Sequence, residues 1–308
     1  MQTTSTVLMV RPARFSFNPD TAGNNAFQHD DLPADHVSEQ AVREFDAYFD
    51  ALRAHGVTVE VVQDRAQPHT PDSIFPNNGF STHPDGLLVL YPMQGENRRL
   101  ERGKGAIERL ARDYEVSRTW DFTPEEADGR YLEGTGSLVL DHEARVAYAC
   151  RSVRTHDALL DTFAAQMDFR VVAFDAHDAR GVPVYHTNVM MSVGRTLAPV
   201  CLDAIGDLWQ RSVVREGLEN ADKQVLPLTL AQLDGFAGNM LEIQGGRGQP
   251  LLVMSRSAWH CLDTWQRTLI ERHAEPLVVT LDTIERVGGG SARCMLAEIR
   301  LPRKAVRA

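Results

Sequence analysis

The sequence has little that would tie it to a membrane, a metal or a nucleic acid. No apolar run approaches the ~18 residues that a bilayer span needs. The first apolar stretch, residues 7–10, is too short for a secretory core, and Arg11 and Arg14 follow it rather than precede it. A cytoplasmic location is expected. Cysteine is scarce: Cys150, Cys201, Cys261 and Cys294 are the only four in 308 residues, and they lie far apart with no zinc-type spacing. In a reducing compartment they are expected as thiols. Basic charge is in deficit. A net charge of −10 argues against a nucleic-acid or anionic-membrane partner. There is no phosphate-binding glycine loop before a helix and no Gly-x-Ser-x-Gly elbow. No metal and no cofactor are expected.

What is present is ordinary globular material, 43% hydrophobic and 24% charged, in a chain long enough to bury a large core. Helical periodicity starts near residues 38, 100, 156, 202 and 257, a spacing of roughly 45–60 residues. Each helix is flanked by strand-like runs. Residues 137–140 with 146–150, 189–193 with 196–201, and 240–243 with 251–255 read as paired strands. Hairpins count against an ordinary parallel sheet, whose strands need helical crossovers. Five strand-pair, helix, strand units predict a closed, propeller-like α/β fold. Ser257 is expected to cap a helix to about residue 273, and residues 295–299 are expected as the last strand.

Chemistry-bearing residues concentrate between these units. Gly288, Gly289 and Gly290 form a turn, and Cys294 follows it. On that segment alone the commoner reading is a core thiol, because free cysteine is usually a small buried residue. Residues 71–80 hold Asp72, Asn77 and Asn78 among prolines and aromatics, which taken alone reads as a turn. Arg98 and Arg99 open a helix, where positive charge opposes the helix dipole unless it binds an anion. Glu133 precedes a Gly-x-Gly turn, and Arg154 again precedes a helix. His186 and Asn188, two apart on an extended segment, point to one side.

Taken in order, Asp72-Ser73-Ile74-Phe75-Pro76-Asn77-Asn78, Asn97-Arg98-Arg99, Glu133-Gly134, Arg154-Thr155, His186-Thr187-Asn188 and Gly288-Gly289-Gly290 with Cys294 resemble the guanidine-modifying superfamily. That superfamily contains arginine deiminases, dimethylargininases and amidinotransferases. The resemblance covers nearly the whole chain and implies a pentein fold, a five-bladed α/β propeller, in a single catalytic domain spanning residues 1–308. Within the superfamily the chain is similar to the amidinotransferase-like branch with citrulline-utilising hydrolases.

Carried over by position, the resemblance makes Cys294 the nucleophile, His186 the general acid and base, and Glu133 the group that orients His186. Asp72, Asn78 and Asn188 would line the head-group pocket. Arg154, with Arg98, would hold the substrate α-carboxylate. Guanidinium-processing relatives carry carboxylates at the position of Asn78, and deiminases also at Asn188. Amides at both positions imply a neutral, ureido-like head group, citrulline first, hydrolysed to ornithine, ammonia and carbon dioxide. Arginine deiminase-like or dimethylargininase-like hydrolysis, amidino transfer to an amine, and a binding protein without catalysis are the other readings. The expected partner is a small ureido or guanidino amino acid; a homodimer is left open.

Overall fold

The computed structural model describes residues 1–305. Among them, fourteen strands form five separate sheets. In four of the five, a central strand pairs antiparallel with a short strand on one side and parallel with a third on the other. The sets are Phe80–Thr82, Leu87–Leu90 and Arg118–Asp121; Leu138–Asp141, Val146–Cys150 and Arg170–Phe174; and Leu241–Gln244, Pro250–Ser255 and Glu275–Val279. The chain ends share the remaining three-stranded sheet, where Thr6–Arg11 pairs antiparallel with Ala297–Glu298 and parallel with Thr58–Gln63. The fifth sheet keeps only the parallel pair Leu197–Val200 and Gln224–Pro227, with a single bridge from Met191 to Val200 in place of the short strand.

A parallel pair needs a crossover, and in each unit a helix supplies it. The longest, Ala34–Ala54, buries Val37, Ala41, Phe45, Tyr48 and Leu52, the three- and four-residue spacing of one helical face. That face packs on Val7, Met9 and Val57 and on Val253 and Leu277 of the last unit, so the helix also ties the two chain ends together. Central strands are apolar along their length, as strands covered on both sides must be; Val146–Cys150 is buried at every residue.

Several expected elements take another form. The predicted helix from residue 100 is a tight turn, Leu100–Gly103, followed by Ala106–Asp113, because Gly105 adopts φ 104° and breaks it. The helix from residue 202 likewise splits, into the turn Leu202–Ala204 and a helix Leu208–Glu219 capped by Asp207. The one expected from Ser257 is two helices, Arg256–Cys261 capped by Ser255 and Thr264–His273 with Asp263 as its N-cap, separated at Leu262. The strand at 189–193 is reduced to its single bridge, because Thr187–Val189 turns tightly. Strands Phe80–Thr82 and Arg118–Asp121 were not expected; their half-polar sequences hide them.

Candidate active site

Five of the predicted site residues, Asn78, Glu133, His186, Asn188 and Cys294, lie at one structural position repeated round the units: the entry to the short antiparallel strand. Asn78 closes the turn Pro76–Asn78 before Phe80–Thr82. Glu133 opens the turn Gly134–Ser137 before Leu138–Asp141. His186 and Asn188 lie at Thr187–Val189, just before Met191. Cys294 lies in the turn Ala292–Met295 before Ala297–Glu298. These turns pack on one another: Pro76–Asn78 touches both Gly134–Ser137 and Ala292–Met295, and Gly134–Ser137 touches Thr187–Val189. Residues more than two hundred positions apart thereby share one site.

Cys294 was expected at the head of a strand after an irregular glycine loop. Instead, Gly288 is the last residue of a helix, Asp282–Gly288, and Gly289 caps it with φ 63°. Close packing explains the next glycine: a Cβ on Gly290 would lie 3.0 Å from the Phe75 ring. The turn holds the sulfur 3.2 Å from Asn239 Nδ2 and 3.5 Å from Asn188 Nδ2.

His186 and Glu133 form the expected pair, with Nε2 2.8 Å from Oε2. The carboxylate assigns the proton to Nε2 and leaves Nδ1 as the basic nitrogen. Gly136 packs on that nitrogen: a Cβ there would lie 2.7 Å from Nδ1 and 2.4 Å from Asn78 Oδ1. Glu133 also accepts from the Gln94 backbone N–H at 2.9 Å and lies 3.5 Å from Arg154 Nη1. Burial by itself would raise the Glu133 pKa. The charge of Arg154 and the bond to His186 outweigh it and hold the group ionised, well below the usual carboxylate range. Burial dominates at His186 and lowers its pKa to about 4 against the pull of Glu133. The imidazole is therefore neutral at neutral pH.

That burial has a measurable consequence. His83 is likewise buried and lowered to about 4. An unfolded histidine titrates near 6.5, so between pH 6.5 and 4 the unfolded chain binds protons that the folded chain refuses. Stability from these groups is present above pH 6.5 and lost as pH falls toward 4, at up to about 1.4 kcal/mol per pH unit for each group. Urea unfolding is expected to show a lower midpoint at pH 5 than at pH 7; equal midpoints would show that these histidines are not held neutral.

Asp72 is buried and accepts at Oδ2 from Asn18 Nδ2 at 2.7 Å and Thr21 Oγ at 3.2 Å. Burial raises its pKa, opposed by Arg98 and these donors. Its other oxygen, Oδ1, has no protein partner, nor do Asn78 Oδ1 and Asn188 Oδ1. Asn77, in the same turn as Asn78, has both polar side-chain atoms buried and unpartnered. Buried polar atoms are rarely left so, and a cluster of them beside a buried thiol is what a polar ligand requires.

The two arginines are less free than expected. Arg98 donates to Glu101 at 3.0 and 3.1 Å and to the Phe75 carbonyl at 2.9 Å, and lies 4.0 Å from Asp72. Arg154 donates to Asn24 Oδ1 at 2.8 Å and to the Thr21 carbonyl at 3.2 Å, and stacks on Tyr185. Arg99 lies outside this cluster, on the Met93 and Gln94 carbonyls.

Two features went unseen in the sequence. One is Asn239, which stands at the entry to Leu241–Gln244 as the other site residues stand in their own units. The repeat itself was the signal: a fifth unit should contribute a fifth entry residue. The other is the stretch at residues 11–33, whose polar sequence, rich in Asn, Asp and Pro, predicts a loop. It covers the pocket through Asn18 and Thr21 on Asp72, Asn24 on Arg154, and Asn25 and Gln28 on the carbonyls of 287–289. Cys294 is 3% exposed and His186 1%. Among the described residues no three His, Cys, Asp or Glu side chains group to hold a metal ion, and no helix is long and apolar enough to cross a membrane.

Solved structures share this architecture. The N-terminal domain of ArgZ, an arginine dihydrolase from the ornithine–ammonia cycle in cyanobacteria, solved as a cysteine-to-serine variant bound to substrate, superposes with a TM-score of 0.74 at 16% identity over 96% of this chain and 99% of that one. Unliganded AgrE gives 0.73 at 19% identity over 97% of this chain and 40% of that one. DDAH from Pseudomonas aeruginosa, a cysteine-to-serine variant complexed with citrulline, gives 0.65 at 12% identity over 96% of this chain and 99% of that one. The chain spans 40% of full-length ArgZ. No curated protein matches the sequence. Fold and site together define a member of the pentein guanidino-modifying superfamily. Within it, the chain belongs to the N,N-dimethylarginine dimethylhydrolase family, whose eukaryotic family model matches residues 11–301.

Proposed function

We propose that the protein hydrolyses the ureido C–N bond of an α-amino acid, L-citrulline, through a covalent adduct on Cys294. The five like units close into a five-bladed propeller as one catalytic domain, with the site where their entry turns meet. The observation that carries the substrate reading is the charge balance around the sulfur. Of the two carboxylates nearest the site, Glu133 is matched by Arg154 at 3.5 Å, while Asp72 shares Arg98, at 4.0 Å, with Glu101 at 3.0 Å. Besides one oxygen of Asp72, the polar groups left over, on Asn78 and Asn188, are uncharged amides. A guanidinium buried there would have only that shared carboxylate as counter-charge, which is costly. A ureido group offers N–H donors to the unpartnered oxygens and brings no charge.

The chemistry follows from the groups present. Cys294 gives its proton to His186 Nδ1, and the thiolate attacks the ureido carbon. His186 returns the proton to the departing Nδ, releasing ornithine and leaving a carbamoyl group on sulfur. Neutral His186 then takes a proton from water, which displaces the sulfur. The carbamate so formed falls apart to ammonia and carbon dioxide, so one water is consumed per citrulline. Glu133 holds the imidazole in one tautomer and stabilises its cation when it forms. Asp72, Asn78 and Asn188 hold the planar head group. Arg154 and Arg98 are the candidates for the α-carboxylate. Since Arg154 also balances Glu133, Arg154→Ala is expected to lower kcat as well as raise KM.

The test is a change of preference. Asn78→Asp and Asn188→Asp put charge where a guanidinium would need it. The ratio of kcat/KM for arginine over citrulline is expected to rise about ten-fold or more, the worth of one charged hydrogen bond. An unchanged ratio in folded variants would remove the amide argument. Arginine hydrolysis is the second reading, favoured by the number of unpartnered acceptor oxygens, and a native preference for arginine would establish it.

A further inference from the structure

Asn239 is buried completely, and every hydrogen-bonding position of its side chain is directed. Its Oδ1 accepts from the backbone N–H of Arg293 at 3.0 Å. Its Nδ2 donates to the Asn188 carbonyl at 2.9 Å and to Cys294 Sγ at 3.2 Å. Turning the amide over would set N–H against N–H at Arg293 and oxygen against oxygen at Asn188. The orientation is therefore enforced, and an N–H must face the sulfur.

The backbone is built to bring it there. A Cβ on Gly238 would lie 2.4 Å from the Val189 carbonyl oxygen and 2.5 Å from the carbonyl carbon of Met190, so only glycine allows this approach. Asn239 thereby pins three pieces together: the turn carrying Asn188, the backbone of Arg293 and the nucleophile. Asn188 adds a second, longer amide donor at 3.5 Å.

A thiolate accepts hydrogen bonds far better than a thiol, so a fixed donor on sulfur favours the ionised form. Neither donor carries charge. We propose that Asn239 is a catalytic residue, the preorganised donor that stabilises the Cys294 thiolate before attack and again when water expels it from the adduct. The inference rests on reading Cys294 as the nucleophile, but not on citrulline being the substrate.

The test reads the sulfur directly. The rate of Cys294 alkylation by iodoacetamide is followed against pH by peptide mass spectrometry, which separates Cys294 from Cys150, Cys201 and Cys261. Asn239→Asp keeps the shape, loses the donor and adds a like charge. The alkylation midpoint is expected to move up by about one pH unit or more, a ten-fold loss of thiolate on the acid side. Turnover in the same variant is expected to fall about ten-fold or more at neutral pH and to recover as pH rises. Asn239→Ser serves the same measurement should the aspartate variant fail to fold. A folded variant with an unmoved alkylation midpoint overturns the proposal, as does a loss of turnover equal at every pH, which a purely structural role would give. If native protein turns over no citrulline while the midpoint still shifts, the substrate reading fails and this one stands.

Discussion

Cys294→Ala is expected to abolish turnover, with kcat reduced by about 10⁴-fold or more and KM little changed. The size follows from the site. Among the described residues, Cys294 is the cysteine placed with two amide donors on its sulfur, while Cys150 lies among apolar residues with its thiol pushed up to about 12. No other thiol can take over. The substitution takes one acceptor from Asn239 but leaves the bonds that hold the turn, Asn239 with the Arg293 backbone and Ser291 with Glu285. The variant should unfold at nearly the native temperature and still bind substrate, so kcat and Tm measured together separate lost chemistry from lost structure. Residual activity within ten-fold of native would contradict the covalent route.

The second large effect is expected at Glu133. Glu133→Gln keeps the shape, but it leaves Arg154 buried without its nearest carboxylate and lets His186 choose the wrong tautomer. Loss of a tautomer-fixing carboxylate costs up to about 10⁴-fold in kcat. An uncompensated buried charge costs roughly 3–5 kcal/mol of stability. The variant is therefore expected to lose both activity and several degrees of Tm, whereas Cys294→Ala loses only activity. A Glu133→Gln protein as stable as the native one would show that Asn24 and Thr21 suffice to hold Arg154.

The candidate residues were legible from the order of their motifs, a glutamate before Gly-x-Gly, a histidine and an amide two apart, a cysteine after three glycines, each of which alone has a plainer reading. The order of the units was legible too, since helices such as Ala34–Ala54 carry strong apolar periodicity. Asn239 was not, because an Asn after Gly before a strand looks like any turn, and its function arises from contacts with Asn188 and Cys294 about fifty positions away on either side. The cover at 11–33 was opaque for the same reason. Its polar sequence satisfies itself on Asp72, Arg154 and the helix end at Gly288, partners that no local pattern announces. The arginines were legible only in part. Arg98 and Arg154 are expected to meet a ligand and also pair with Glu101, Asp72 and Glu133, and sequence records a charge without recording its partner.

The cover and the charge balance bear on each other. A pocket that shuts out water strengthens every hydrogen bond within it and makes any unmatched charge expensive. With Asn18 and Thr21 occupying one oxygen of Asp72, a single carboxylate oxygen faces the head group. That arrangement leaves fewer carboxylate oxygens than a guanidinium would use, in keeping with the proposed neutral ureido group.

The most direct measurement is a head-to-head comparison of kcat/KM for citrulline, arginine and N,N-dimethylarginine with the native protein, products identified. The account predicts that citrulline is the best of the three and yields ornithine, ammonia and carbon dioxide. A larger kcat/KM for arginine or dimethylarginine would contradict it.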